Sequence, residues 1–133
     1  MPNDTQVPIN SAADILTARQ KARTLAMKLG FTGVDLTVIA TGISEVARNI
    51  LDHAKEGEIV MEPLVEDSKR GLLIVARDEG PGIPDLNQAM QYGYSTRRGL
   101  GVGLPGTKWL MDEFDIRSVV GKGTTVVMKK WIR

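Results

Sequence analysis

Cysteine is absent from the sequence, and histidine occurs once, as His53. The lack of cysteine excludes disulfide bonds, thiolate metal sites and a cysteine nucleophile. A single histidine disfavours a multi-histidine zinc site and a catalytic triad that depends on histidine. The function therefore has to be sought in other side chains and in the backbone.

Long apolar runs and an excess of charge are also lacking. The longest uninterrupted apolar run covers residues 72–76, whereas a membrane helix needs about 20. The first nine residues show no basic segment followed by an apolar one, so we expect no signal peptide and a cytoplasmic location. With 17 Lys+Arg against 16 Asp+Glu, the formal net charge is +1, which argues against binding nucleic acid mainly by neutralising phosphates.

The overall composition is that of an ordinary globular protein. Of 133 residues, 42% are hydrophobic and 25% are charged, which is typical of folded rather than disordered proteins. A chain of this length buries enough surface for one core, so we expect a single domain over residues 1–133.

Hydrophobic periodicity and turn residues predict an α+β fold. Ser11 and Asp14 predict the start of a first helix, and Gly30 predicts its end. The element order predicts a two-layer α/β sandwich, with a mostly antiparallel sheet and helices on one face. The predicted strands are 5–9 (at a sheet edge), 58–65, 72–77, 114–120 and 124–132, and the later predicted helices are 34–54, 84–92 and 105–113.

A polar stripe on the second helix is the first candidate site. Thr41, Glu45, Asn49 and His53 recur every four residues beside the apolar stripe. Such a stripe is typical of a solvated helix face, although asparagine is a poor helix former. Alternatively, the amide oxygen faces a hard cation while the carboxylate faces a water or a hydroxyl.

The segment 78–84, Asp-Glu-Gly-Pro-Gly-Ile-Pro, is the second candidate because it directly follows an apolar strand. Ligand groups in open α/β sheets lie at such strand ends. Asp78 can accept hydrogen bonds from a planar ring that bears an amino group, and Gly80 leaves room for the ring. A plain surface turn is the alternative interpretation.

A glycine run is the third candidate. Gly99, Gly101 and Gly103 alternate before a predicted helix, so their N–H groups and the helix dipole can face a phosphate. The spacing matches neither the Walker nor the Rossmann pattern, and a flexible loop without function is the alternative. Arg97 and Arg98 directly upstream could reach phosphate oxygens or lie in solvent.

Together, these segments resemble the GHKL family of ATPases and kinases, which share the Bergerat nucleotide-binding fold. The matching segments are 45–49 (N box), 78–82 (G1 box), 99–103 (G2 box) and the pair Gly123-Thr124. Within the family, the chain is most similar to the small serine-protein kinases of bacterial partner switching, of the stressosome-switch type. Anti-sigma-factor kinases are near relatives. The segments that carry this second resemblance are 43–50, 78–84, 94–96, 99–106 and 110–114.

The resemblance implies a role for each matching residue. Asn49 would hold Mg²⁺, Glu45 would be the base or orienting group for the attacking hydroxyl, and Asp78 would bind the adenine amino group. Gly80 and Gly82 would let the ring and the lid approach. The remaining residues implied in ATP binding are Ile83, Gly99, Leu100, Gly101, Val102, Gly103, Leu104 and Thr124.

The resemblance also implies an activity and partners. The chain has no room for a phospho-acceptor helix pair or a transducer domain, so the acceptor would be a serine of a STAS-domain partner protein. The implied function is an ATP- and Mg²⁺-dependent serine-protein kinase that, once released, activates a downstream phosphatase, with no nucleic-acid or membrane partner. An anti-sigma factor that phosphorylates its STAS-domain antagonist is the alternative. The intact Glu45 and Asn49 disfavour a degenerate kinase that signals only by binding.

Overall fold

The computed structural model describes residues 5–83 and 103–133. The predicted helix 84–92, Arg97, Arg98 and residues 99–102 of the glycine run lie outside these ranges. In chain order the elements are β1 Thr5–Ile9, α1 Ala12–Leu29, α2 Val34–His53, β2 Gly57–Glu66, β3 Lys69–Asp78, α3 Gly103–Leu110, β4 Glu113–Val119 and β5 Gly123–Trp131.

The five described strands form one sheet in the order β1-β2-β3-β5-β4. Every strand pair among them is antiparallel. β1 lies at an edge, as predicted, and β4 lies at the other. A two-residue turn joins β2 to β3: Asp67 and Ser68 have φ values of 49° and 70°, the left-handed backbone that tight hairpins need.

The core lies between one face of the sheet and the helices α1 and α2. Along β3, Leu72, Ile74 and Ala76 are buried and alternate with more exposed residues, as expected for a strand covered on one side. Ile39 and Ile43 of α2 have no exposed surface and belong to the same cluster. The predicted α+β sandwich with helices on one face is confirmed.

The first helix, α1, begins and ends at the predicted capping residues. The Asp14 carboxylate accepts the backbone N–H groups of Asn10 and Ser11, at 2.8 and 3.0 Å. Gly30 ends the helix in the left-handed conformation, with φ 108°. No helix in the described part of the chain is long and apolar enough to span a membrane.

The bounds of α3 differ from the predicted helix 105–113. The helix begins two residues earlier and ends at Leu110. It ends because Asp112 is held by β5: its backbone N–H donates to Lys129 O at 3.0 Å, and its carboxylate accepts the Trp131 N–H at 2.7 Å. These long-range bonds draw the chain out of the helix, so Glu113 already belongs to β4.

Candidate active site

The centre of the polar stripe on α2 is buried. Glu45 is 6% exposed and Asn49 is 9% exposed, whereas Thr41 and His53 are partly buried. Side chains on a solvated helix face remain exposed, on the side opposite the apolar stripe. The solvated-face interpretation is therefore wrong for Glu45 and Asn49.

Both oxygens of Glu45 are engaged. Arg48 donates to Oε1 at 2.7 Å, and the backbone N–H of Gly103 donates to Oε2 at 3.0 Å. The second contact joins α2 to the first residue of α3, where a negative charge interacts favourably with the helix dipole. Arg48 was not predicted as a partner of Glu45, although its spacing of three residues from Glu45 on a helix is the usual signal for an ion pair.

Asn49 lies one turn beyond Glu45 on the same face, about 6 Å along the helix axis. Its side-chain amide makes no hydrogen bond to any described residue. The described residues also contain no group of three or more His, Cys, Asp or Glu that could hold a metal ion. The Asn49 amide oxygen is nevertheless a ligand of the kind that Mg²⁺ accepts, since this ion commonly binds few protein groups and keeps several waters.

Asp78 presents one oxygen without a partner. The residue is 9% exposed, and its Oδ1 accepts the N–H groups of Gly80, at 2.9 Å, and Thr124, at 3.3 Å. Its Oδ2 is buried and has no hydrogen-bond partner among the described residues. A buried acceptor without a partner is costly, so this oxygen can accept a hydrogen bond from a donor beyond the described residues.

Gly80 and Gly82 are needed for packing around this turn. A Cβ at Gly80 would overlap Ala54 at the end of α2, and a Cβ at Gly82 would come within 2.6 Å of Val119 O in β4. Gly82 also has φ 79°, which favours glycine. The two glycines thus let the turn contact α2 and β4, a packing role that was not predicted from the sequence.

Replacing Gly80 with alanine is expected to destabilise the fold by about 1–3 kcal/mol, because the new methyl group meets both the backbone and the side chain of Ala54. Gly42→Ala is the matched control. Its Cβ would overlap Met111 Cε, the mobile end of a flexible side chain, and alanine raises helix propensity by about 1 kcal/mol. Urea unfolding should therefore show a loss for Gly80→Ala and little change or a gain for Gly42→Ala. Equal free energies of unfolding in the two variants would contradict the packing role of Gly80.

A hydroxyl pair closes the other side of the turn. The Ser118 hydroxyl accepts the backbone N–H of Ile83 at 2.7 Å and lies 2.8 Å from the hydroxyl of Thr124. Gly121 N–H donates to Pro81 O at 2.8 Å, so the β4–β5 hairpin holds the 78–83 segment at two points. Ser118 was not among the predicted site residues. The hairpin predicted at 121–123 already implies its position, because a turn there places residue 118 opposite Thr124 on the neighbouring strand.

These groups are arranged in order along α2. Gly103 and Glu45 lie at one end of the site, Asn49 follows, and the turn that contains Asp78 packs against Ala54 at the end of the helix. Ile83 and Leu104, both predicted ligand contacts, are buried at 6% and 5% exposure. Gly99, Leu100, Gly101 and Val102 lie outside the described residues.

Residues 10–130 match the histidine kinase-like ATPase domain family. The chain belongs to this family. It is 49% identical to the serine/threonine-protein kinase RsbT of Bacillus subtilis over 133 residues, the full length of both chains. It is 35% identical to the anti-sigma F factor of Caldanaerobacter subterraneus over 121 residues, which are 86% of this chain and 83% of the relative.

A solved structure shares the fold of this chain. The crystal structure of the RsbU and RsbW domains of a Mycobacterium tuberculosis protein superimposes with a TM-score of 0.63 at 19% identity. The match covers 97% of this chain and 33% of that one. The predicted family and the predicted enzyme class, a serine/threonine-protein kinase, are thus confirmed by the family and sequence matches, and the fold agrees.

Proposed function

We propose that this histidine kinase-like domain binds ATP with the adenine ring at Asp78 and transfers the terminal phosphoryl group to a serine of a STAS-domain protein. The observation that carries the proposal is the buried Oδ2 of Asp78, which has no partner among the described residues. The adenine amino group is a donor of the kind this oxygen needs. Gly80 and Thr124 hold the other oxygen, so Oδ2 stays oriented toward the ring.

The phosphates would lie toward Asn49 and the start of α3. Mg²⁺ at the Asn49 amide would offset the charge that develops on the phosphoryl oxygens. Gly99, Leu100, Gly101, Val102, Gly103 and Leu104 are proposed to surround the phosphates. The N–H of Gly103 is donated to Glu45, so a phosphate oxygen that takes this N–H would release one oxygen of Glu45.

Glu45 is proposed to orient or deprotonate the incoming serine hydroxyl. Its carboxylate is held from two sides, by Arg48 and by Gly103 N–H, so it is positioned before a substrate arrives. A carboxylate has about four lone-pair sites, so Oε1 and Oε2 keep acceptor capacity for a hydroxyl. Since phosphoryl transfer requires mainly positioning and charge stabilisation, a well-held carboxylate is sufficient.

The proposed setting is a cytoplasmic partner-switching pathway of the stressosome type. The chain would phosphorylate STAS-domain partners and, when released from them, bind and activate a downstream phosphatase. Full-length similarity to a named serine/threonine-protein kinase supports the kinase role in this proposal. The anti-sigma F factor relatives support the second candidate, an anti-sigma factor that phosphorylates its STAS-domain antagonist. Affinity purification from cell extract separates the two, because only an anti-sigma factor retains a sigma subunit.

Asp78→Asn is expected to weaken ATP binding roughly tenfold to a hundredfold. The substitution keeps the shape but replaces a charged acceptor with an amide, so one charge-assisted hydrogen bond to the adenine amino group is lost, about 1.5–3 kcal/mol. Titration calorimetry with a non-hydrolysable ATP analogue measures the change.

Asp115→Asn provides the matched control for this carboxylate. Asp115 is exposed on β4 and pairs with Arg117 at 3.2 Å, away from the turn. Its variant should bind the analogue like the native protein. Unchanged affinity in Asp78→Asn would refute the adenine assignment.

A further inference from the structure

The hydroxyl of Ser118 makes three polar contacts close to the proposed adenine site at Asp78. It lies in β4 directly opposite Thr124 in β5. Its Oγ accepts Ile83 N–H at 2.7 Å, lies 2.8 Å from Thr124 Oγ1 and lies 3.4 Å from Gly123 O. Thr124 in turn is paired with Asp78 across the sheet and is only 3% exposed. Thr124 therefore lies between Ser118 and Asp78, whose carboxylate is the proposed base-binding group.

We propose that Ser118 is a positioning residue that sets the direction of the Thr124 hydroxyl and so makes the site select adenine over guanine. This inference rests on the proposed adenine site at Asp78. Ser118 itself does not touch the base.

The direction follows from counting protons and lone pairs. Each hydroxyl has one proton to donate and two lone pairs. Ile83 N–H occupies one lone pair of Ser118. When Ser118 donates to Thr124 across the 2.8 Å contact, the Thr124 proton is free to point at a ligand. In the reverse arrangement the recorded acceptor for the Ser118 proton is Gly123 O at 3.4 Å, which is longer than the usual distance for a hydroxyl bond and therefore weaker.

The favoured arrangement presents an acceptor beside a donor, namely Asp78 Oδ2 and the Thr124 hydroxyl. Adenine offers the complement, because its amino group donates and the adjacent ring nitrogen accepts. In the same ring pose guanine offers a carbonyl oxygen and a ring N–H, so both positions are mismatched. A site built to hydrogen-bond a particular pattern rejects an analogue that leaves its buried groups unpaired.

Without the Ser118 hydroxyl, Thr124 can rotate and either donate or accept. One of the two mismatches with guanine is then relieved, while the mismatch at Asp78 remains. Adenine binding should weaken moderately, because Thr124 is no longer held and the buried Ile83 N–H loses its acceptor. The ratio of ATP affinity to GTP affinity should therefore fall. A general loosening of the site would instead lower both affinities by the same factor and leave the ratio unchanged.

The test measures the affinities of non-hydrolysable ATP and GTP analogues by calorimetry. For Ser118→Ala we expect ATP-analogue affinity to fall about three- to tenfold and the ratio of the two affinities to narrow about tenfold. Ser118→Thr keeps the hydroxyl and should restore both values. Arg117→Gln, the exposed neighbour on β4, should leave them unchanged. Thr124→Val removes the other hydroxyl and should narrow the ratio too, which keeps the test valid if Ser118→Ala folds poorly.

Three results would overturn the inference. In the first, Ser118→Ala lowers both affinities by the same factor, which is the signature of a purely structural role. In the second, the ratio is unchanged in both Ser118→Ala and Thr124→Val. In the third, the native chain binds neither analogue, and that result alone would also contradict the proposed ATP site.

Discussion

Glu45→Gln is expected to phosphorylate a STAS-domain partner at least about 100-fold more slowly than the native protein. Glutamine has nearly the same size and helix propensity, and its side-chain oxygen can still accept the Gly103 N–H. What it loses is the negative charge that Arg48 holds in place. The variant should therefore fold and bind Mg²⁺–ATP within a few-fold, so the loss should appear in the transfer step.

Single-turnover phosphotransfer with labelled ATP measures this step directly. The matched control is Glu56→Gln, an exposed glutamate just beyond α2 that should transfer phosphate at the native rate. Phosphatase activation should survive in Glu45→Gln, because binding alone is proposed to drive it. Near-native transfer by Glu45→Gln would exclude Glu45 as the catalytic carboxylate and direct attention to Glu79 or Asp85, the next two acidic residues after Asp78 in the sequence.

Local signals predicted most of the fold. The Ser11–Asp14 start and the Gly30 stop define α1 as observed, because caps and left-handed glycines act within one turn of the chain. The 5–9 strand was predicted with the bounds it has. The end of α3 was not, since Asp112 is drawn to β5 by bonds to Lys129 and Trp131, partners 17 and 19 residues further on that no local pattern reveals.

For the site, too, the residue types could be predicted from the sequence, whereas the contacts between distant segments could not. The residue types of Glu45, Asn49 and Asp78 indicated chemistry from their spacing, and the structure buries all three. Which oxygen of Asp78 stays open depends on Gly80 and Thr124, and Thr124 is 46 residues away in sequence. Gly80 was expected to make room for a ligand, and the structure adds a packing reason, because a Cβ there would overlap Ala54. Such contacts depend on how elements pack, and residue pattern does not encode them.

The second large effect is expected at Asn49. Asn49→Ala removes the side-chain oxygen proposed to bind Mg²⁺, so metal-dependent phosphotransfer should fall to background, a loss of at least about 100-fold. The fold should largely survive, because the amide makes no hydrogen bond to any described residue and alanine is the better helix former. Thermal unfolding of the unliganded variant should accordingly match the native protein closely.

A binding measurement separates the metal role of Asn49 from a general loss of activity. In native protein, affinity for a non-hydrolysable ATP analogue should rise when Mg²⁺ is added, because the Asn49 amide would hold the ion, whose charge would offset that of the phosphates. In Asn49→Ala this gain should disappear, while affinity without Mg²⁺ stays within a few-fold, since the adenine contacts at Asp78 are untouched. Thr41→Ala, two turns upstream on the same stripe, loses only a hydroxyl bonded to Thr37 O and should keep the full Mg²⁺ dependence. If Asn49→Ala transfers phosphate at the native rate, or responds to Mg²⁺ as Thr41→Ala does, then Asn49 is not the metal ligand.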